Sequence, residues 1–129
     1  MPSTRIETGA GWIGHRHPDV IDAVQTALED VLGIPDWDRD VVLTEHPIDK
    51  RIVPTGRSEK FTRIEIVLFA GRSHAAKRAL YRQICDNFEA LGVPRNEVKI
   101  VLIESPRENW GIRGGQSAAD VELGFEVAV

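Results

Sequence analysis

The chain has 129 residues, 42% hydrophobic and 28% charged, which is the composition of one globular domain and argues against a disordered chain. A net charge of −4, with lysines and arginines scattered rather than striped, argues against a nucleic-acid module. One cysteine, Cys85, excludes a disulfide within the chain; with no apolar run of ~18–20 residues and no visible signal peptide, a cytoplasmic protein without a membrane partner is expected.

In chain order, Met1-Pro2 precedes TRIE at 4–7, which reads as a strand. Val20, Ile21, Val24, Ala27, Leu28, Val31 and Leu32 then mark one face of a helix. Pro18 and Asp19 suit its first turn, Gly33 its left-handed cap, and Pro35 prevents continuation. Val41–Thr44 is a returning strand. The pattern repeats with a strand at Phe61–Phe69 and a helix marked by Ala76, Leu80, Ile84, Phe88 and Leu91. Ser73 is the expected N-cap of that helix, Gly92 and Pro94 close it, and Val98–Ile103 is the second return. Residues 107–120 are turn-rich. From Val121 to Val129 apolar and other residues alternate, which predicts a strand that pairs with a sheet edge.

The repetition is also literal. LGIP at 32–35 and LGVP at 91–94 are offset by 59, and DWDRDVVLTEHP and RNEVKIVLIESP follow them in register. TRIE recurs at 62–65 and Ala10-Gly11 at Ala70-Gly71, with offsets of 58 and 60. Ordered matches at nearly one spacing indicate two copies of a single unit. A strand, helix and returning strand make a parallel, right-handed crossover. The expectation is therefore a two-layer α+β domain over 1–129. It is built from tandem βαβ units at 1–58 and 59–106, with a C-terminal arm at 107–129. Four strands form a mixed sheet with both helices on one face, and the arm adds short hairpin strands. The open face calls for a partner subunit.

Five residues carry candidate chemistry. Methionine before a small residue is normally removed, which leaves Pro2 with a rigid secondary amine that burial turns into a neutral base. Arg72 sits between a strand end and a helix start, a place suited to holding a carboxylate. Trp110 and Arg113 lie in ENWGIRGG, where glycines permit close backbone approach; a packing role for Trp110 is the commoner use. Asp38, in IPDWDRD, can activate water, although a loop acid taken alone is usually solvated. Cys85 reads as a small buried apolar residue. His15 and His17 lack a third ligand with metal-site spacing, and His46 and His74 stand alone, so no metal site is expected.

Met-Pro at the start, the duplicated βαβ unit, AGRS before the second helix and ENWGIRGG near the end together resemble the tautomerase superfamily. This is the group of 4-oxalocrotonate tautomerase, macrophage migration inhibitory factor and malonate semialdehyde decarboxylase. The likeness spans essentially the whole chain and resembles the long type, in which two short units are fused. It implies the tautomerase fold, a homotrimer, a small carboxylate substrate and no cofactor. It implies Pro2 as the catalytic amine, Asp38 as the acid of decarboxylase-like members, Arg72 as a carboxylate ligand and Trp110 as a pocket wall. Arg113 joins them on charge and position. Ala70 stands where the decarboxylase type carries a second arginine. The implied activity is tautomerisation of small enol or 2-keto acids with Pro2 as general base. The alternatives are a decarboxylase, hydratase or dehalogenase using protonated Pro2 and Asp38, and a non-catalytic trimeric binding protein that keeps Met1.

Overall fold

The structure, a computed structural model, describes residues 1–129. Two crossovers follow one another: β1 (Ser3–Gly9), α1 (His17–Leu32) and β2 (Val41–His46), then β3 (Thr62–Phe69), α2 (His74–Ala90) and β4 (Val98–Ser105). The sheet order is β2-β1-β3-β4, with β1∥β2 and β3∥β4 parallel and the central pair β1/β3 antiparallel. This is the expected mixed sheet. A small antiparallel hairpin follows, made of β5 (Gly111–Ile112) and β6 (Gln116–Ser117).

Strand periodicity sends alternate side chains to opposite faces. Ile6 of β1 and Ile64, Ile66 and Leu68 of β3 point to one layer, where they meet Val20, Val24 and Leu28 of α1 and Leu80, Ile84 and Phe88 of α2. The helices are also tied directly, since Asn87 Nδ2 donates to Ala23 O at 2.9 Å. Their ends obey local rules. Gly33 has φ 70° and its N–H reaches Glu29 O at 3.1 Å, while Ser73 Oγ accepts from the N–H of Ala76 at 3.1 Å. The other face carries exposed Val42 and Ile103 and no helix.

Two expectations need correction. The segment 121–129 is not a strand. Leu123 and Val127 are buried and their neighbours are exposed, so the alternation is real, but the segment has no ladder partner. It instead folds back on its own chain, where Leu123 and Val127 pack with Phe69 and Ala118, and Val129 O accepts from the N–H of Ser73 at 3.0 Å. Alternation reports which side chains are buried, and a strand also needs a free edge. Cys85 is half-buried rather than buried, and desolvation pushes its thiol pKa up, which makes it a poorer nucleophile.

At the end of β1 the fold is tight. The Gly9 N–H donates to Glu59 O at 2.9 Å, and a Cβ on Gly9 would lie 2.3 Å from that oxygen. Gly9→Ala must displace the loop before β3. It is expected to cost about 1–3 kcal/mol, read as a lower urea midpoint with an unchanged slope.

Candidate active site

Because β1 and β3 are antiparallel, the start of β1 lies beside the end of β3. The same end of the sheet receives the loop before β2 and the turn after β4. Four of the five predicted residues come from these segments.

Pro2 is buried at the entrance to β1, which occupies a central position in the sheet. The Met1 ammonium lies 3.1 Å from Asp38 Oδ2. Asp38 is only 7% exposed, so it is not the solvated loop acid that its position alone suggests. The cause lies in α1. Buried Gln25 donates through Nε2 to Asp38 O at 3.3 Å, and the Thr4 N–H donates to Asp40 O at 2.9 Å, which draws the loop against β1. Burial lowers the pKa of the terminal amine; the Asp38 charge and hydrogen bond oppose this, and the nearby Arg72 guanidinium adds to the lowering.

Arg72 is 6% exposed. Gly71, at φ 132°, turns the chain from β3 into α2, and Arg72 Nη1 donates to Phe69 O at 3.2 Å. Its Nε has no partner, and burial lowers its pKa, with Arg107 adding to the lowering and Glu104 opposing it. Trp110 is half-buried and stacks edge-on against Phe69, with centroids 4.9 Å apart and planes at 68°. The Trp110 Nε1 is buried and also unpartnered. Met1, Trp110, Ile112 and Phe125 surround the cluster of Phe69, Ala118, Leu123 and Val127. Thus the amine, the acid, the guanidinium and the indole converge. Arg113 does not join them within the chain. It is exposed at the hairpin turn with φ 50° and makes no side-chain hydrogen bond or ion pair.

Sequence reading missed Phe69 as a site wall and also missed Arg107, whose guanidinium carbon lies 5.8 Å from the Phe69 ring centre. Arg107 lines a groove of about 740 Å³ between the turn after β3 and the tail. The signal for it was its place directly after Pro106, the partner of Pro47 in the repeat. His17 and His46 pair with Glu45 (2.8 Å) and Glu7 (3.3 Å) away from this site.

The sheet topology and the converging amine, carboxylate and guanidinium define a protein of the tautomerase fold. The chain belongs to the tautomerase enzyme family, whose profile matches residues 38–113. That span contains Asp38, Arg72, Trp110 and Arg113 but not Pro2. The 2-hydroxymuconate tautomerase of Pseudomonas putida is 37% identical over 51 residues, which are 39% of this chain and 81% of the relative. The relative is therefore about half as long, the length of one βαβ unit. Two solved structures match along nearly the whole chain. FG41 malonate semialdehyde decarboxylase inhibited by 3-bromopropiolate is 29% identical, with a TM-score of 0.77 over 91% of this chain and 92% of that one. A fused 4-OT solved as an asymmetric trimer is 26% identical, with a TM-score of 0.78 over 91% and 96%. No helix is long and apolar enough to cross a membrane.

Proposed function

We propose that this chain, after loss of Met1, is a tautomerase of small enol or 2-keto carboxylic acids with Pro2 as its general base. The observation that carries the reading is the setting of the chain start: buried Pro2 follows Met1, whose ammonium lies 3.1 Å from buried Asp38 and within the field of buried Arg72. Met1 packs on the Phe69 cluster beside Trp110. Its removal frees that space and makes the Pro2 nitrogen a secondary amine. The neutral proline nitrogen takes a proton from the enol hydroxyl, or from the carbon beside a carbonyl, and returns it elsewhere on the conjugated system. Arg72, with Arg113, supplies unused donors to the substrate carboxylate and to the developing enolate charge. Trp110 and Phe69 wall the pocket. Such proton transfers need no cofactor. The two βαβ units are fused copies, only the first of which begins with a proline, and the chain forms a homotrimer that covers the exposed sheet face. Ketonisation of 2-hydroxymuconate or phenylenolpyruvate tests the activity, and intact mass tests the loss of Met1. Retained Met1 on active protein overturns the reading.

The contact with Asp38 also favours a second reading. Although burial lowers the pKa of the terminal amine overall, the Asp38 carboxylate opposes that lowering and favours the protonated form. A protonated Pro2 with Asp38 then decarboxylates a β-keto acid or adds water to an unsaturated one. Asp38→Asn separates the two. Losing the acid's charge lowers the amine pKa, so the rising limb of the tautomerase pH profile is expected to move to lower pH, because the neutral base then forms earlier. Hydration or decarboxylation is expected to fall by about 10²-fold or more in the same variant. Parallel loss of both activities, with no shift of the limb, removes Asp38 from the assignment.

A further inference from the structure

The antiparallel pairing of β1 and β3 creates two comparable ends of the sheet. The candidate active site takes one of them. At the other, where β1 and β2 end and β3 begins, the same frame carries different residues. Pro47 precedes a one-turn 3-10 helix as Pro106 does, and Arg51 follows it as Trp110 follows the other. Glu97, 59 positions after Asp38, is again a buried carboxylate. A cavity of about 250 Å³ opens here, lined among others by Ala10, His46, Ile48, Arg51, Val53 and Arg57.

We propose that this cavity is a second binding site, which holds a small organic carboxylate without converting it. Arg51 and Arg57 are both half-buried and neither forms an ion pair with a carboxylate. The side chain of Arg57 makes no hydrogen bond, and that of Arg51 makes one, from Nη2 to Glu59 O at 3.2 Å. Burying a guanidinium without an anion is costly, and its planar fork matches a carboxylate. The nearby acids are engaged elsewhere. Glu97 Oε1 accepts from the N–H of Ser58 at 2.9 Å and Oε2 accepts from its hydroxyl, while Glu7 lies 3.3 Å from His46 and 3.9 Å from Arg63. Glu59 is the one unpaired carboxylate on the lining, and it is exposed at the rim. Arg51 also lies over the Phe61 ring, 5.9 Å from its centre, but no carboxylate contacts either guanidinium, which leaves both forks open to a ligand carboxylate. Half-buried Val53 and the exposed Ala10 and Ile48 give the lining an apolar part that suits a short hydrocarbon skeleton better than a hydrated inorganic ion, and the volume lies just below the ~300 Å³ at which drug-sized pockets begin. Conversion as proposed for the first site requires a free terminal amine, and here the chain runs on through Ser58, Glu59 and Lys60, while the ring of His46 is held 3.3 Å from Glu7. The nitrogens that stand where Met1 and Pro2 stand in the first half are amides, which cannot accept a proton near neutral pH.

Titration of the full-length, ¹⁵N-labelled protein with malonate tests this. The amides of Gly9, Ala10 and Ser58 are expected to shift and saturate. Arg51→Ala combined with Arg57→Ala is expected to weaken that binding at least about tenfold while turnover at the first site stays within about twofold. Arg57→Ala alone, which removes no hydrogen bond, serves if the double variant does not fold. Absent shifts in the parent protein, or equal shifts in the variants, overturn the proposal. Inorganic phosphate that displaces malonate with equal or higher affinity overturns the carboxylate assignment. Turnover and the Gly9, Ala10 and Ser58 shifts are read separately, so failure of one reading does not imply failure of the other.

Discussion

Pro2→Ala is expected to lower kcat/KM for phenylenolpyruvate ketonisation by about 10²–10⁴-fold, the range that a positioned general base contributes. The fold gives this variant little reason to unfold, since Pro2 lies before β1 and outside its hydrogen-bonded ladder. The thermal midpoint should therefore change little while activity falls. Both the ring and the amine matter. Proline holds its nitrogen in one orientation, and a primary amine on alanine rotates freely and meets the acid and the substrate less often. Protein in which intact mass shows Met1 retained should be as inactive as the variant, because the proline nitrogen is then an amide. Equal rates for parent, variant and Met1-retaining protein would remove Pro2 from the reaction.

The second large effect is expected at Arg72, with activity and stability moving differently. The guanidinium is 6% exposed, its Nε has no partner, and its one hydrogen bond runs to Phe69 O at 3.2 Å. In the free protein it is a buried charge without a carboxylate contact, an arrangement that often costs stability relative to an apolar residue of similar length. Arg72→Met is therefore expected to leave the unfolding free energy unchanged or raise it by up to about 2 kcal/mol, read as an equal or higher urea midpoint. The same change removes the carboxylate ligand and the donor facing developing negative charge, and kcat/KM should fall by about 10²–10³-fold. Arg72→Lys restores charge without the fork and is expected to recover only part of the loss. A midpoint that drops together with activity would mean that Arg72 serves the fold rather than the substrate.

The candidate site residues lie at strand ends, and the reason is the duplication. Each βαβ unit brings the end of its first strand, the start of its helix and the turn after its return strand to one edge. The antiparallel join of β1 to β3 then adds the beginning of the opposite unit. At one edge that beginning is a chain start with an amine, and at the other it is a continuing backbone. On the proposals made above, the same architecture offers a reactive edge and a binding edge, and the difference between them is covalent.

Much of this was legible from residue order because it depends on local physics. The helices announced themselves through apolar spacing, Gly33 and Ser73 through the torsions and hydrogen bonds that helix ends require, and the two units through repeated words. Residue types suited to the chemistry, Pro2, Asp38, Arg72 and Trp110, were visible for the same reason. Three matters depended on segments far apart in the chain. Asp38 is buried because Gln25 of α1 grips its loop, and no neighbour in sequence reveals that. The alternation at 121–129 foretold the burial of Leu123 and Val127, but whether such a segment pairs or folds back is set by the edges available to it. Phe69 and Arg107 became site residues only when the end of β3 met the turn after β4. Residue order thus determined which groups this protein carries and which elements bear them. Tertiary packing decided which of those groups are desolvated together, and desolvation is what turns an amine, an acid and a guanidinium into a site.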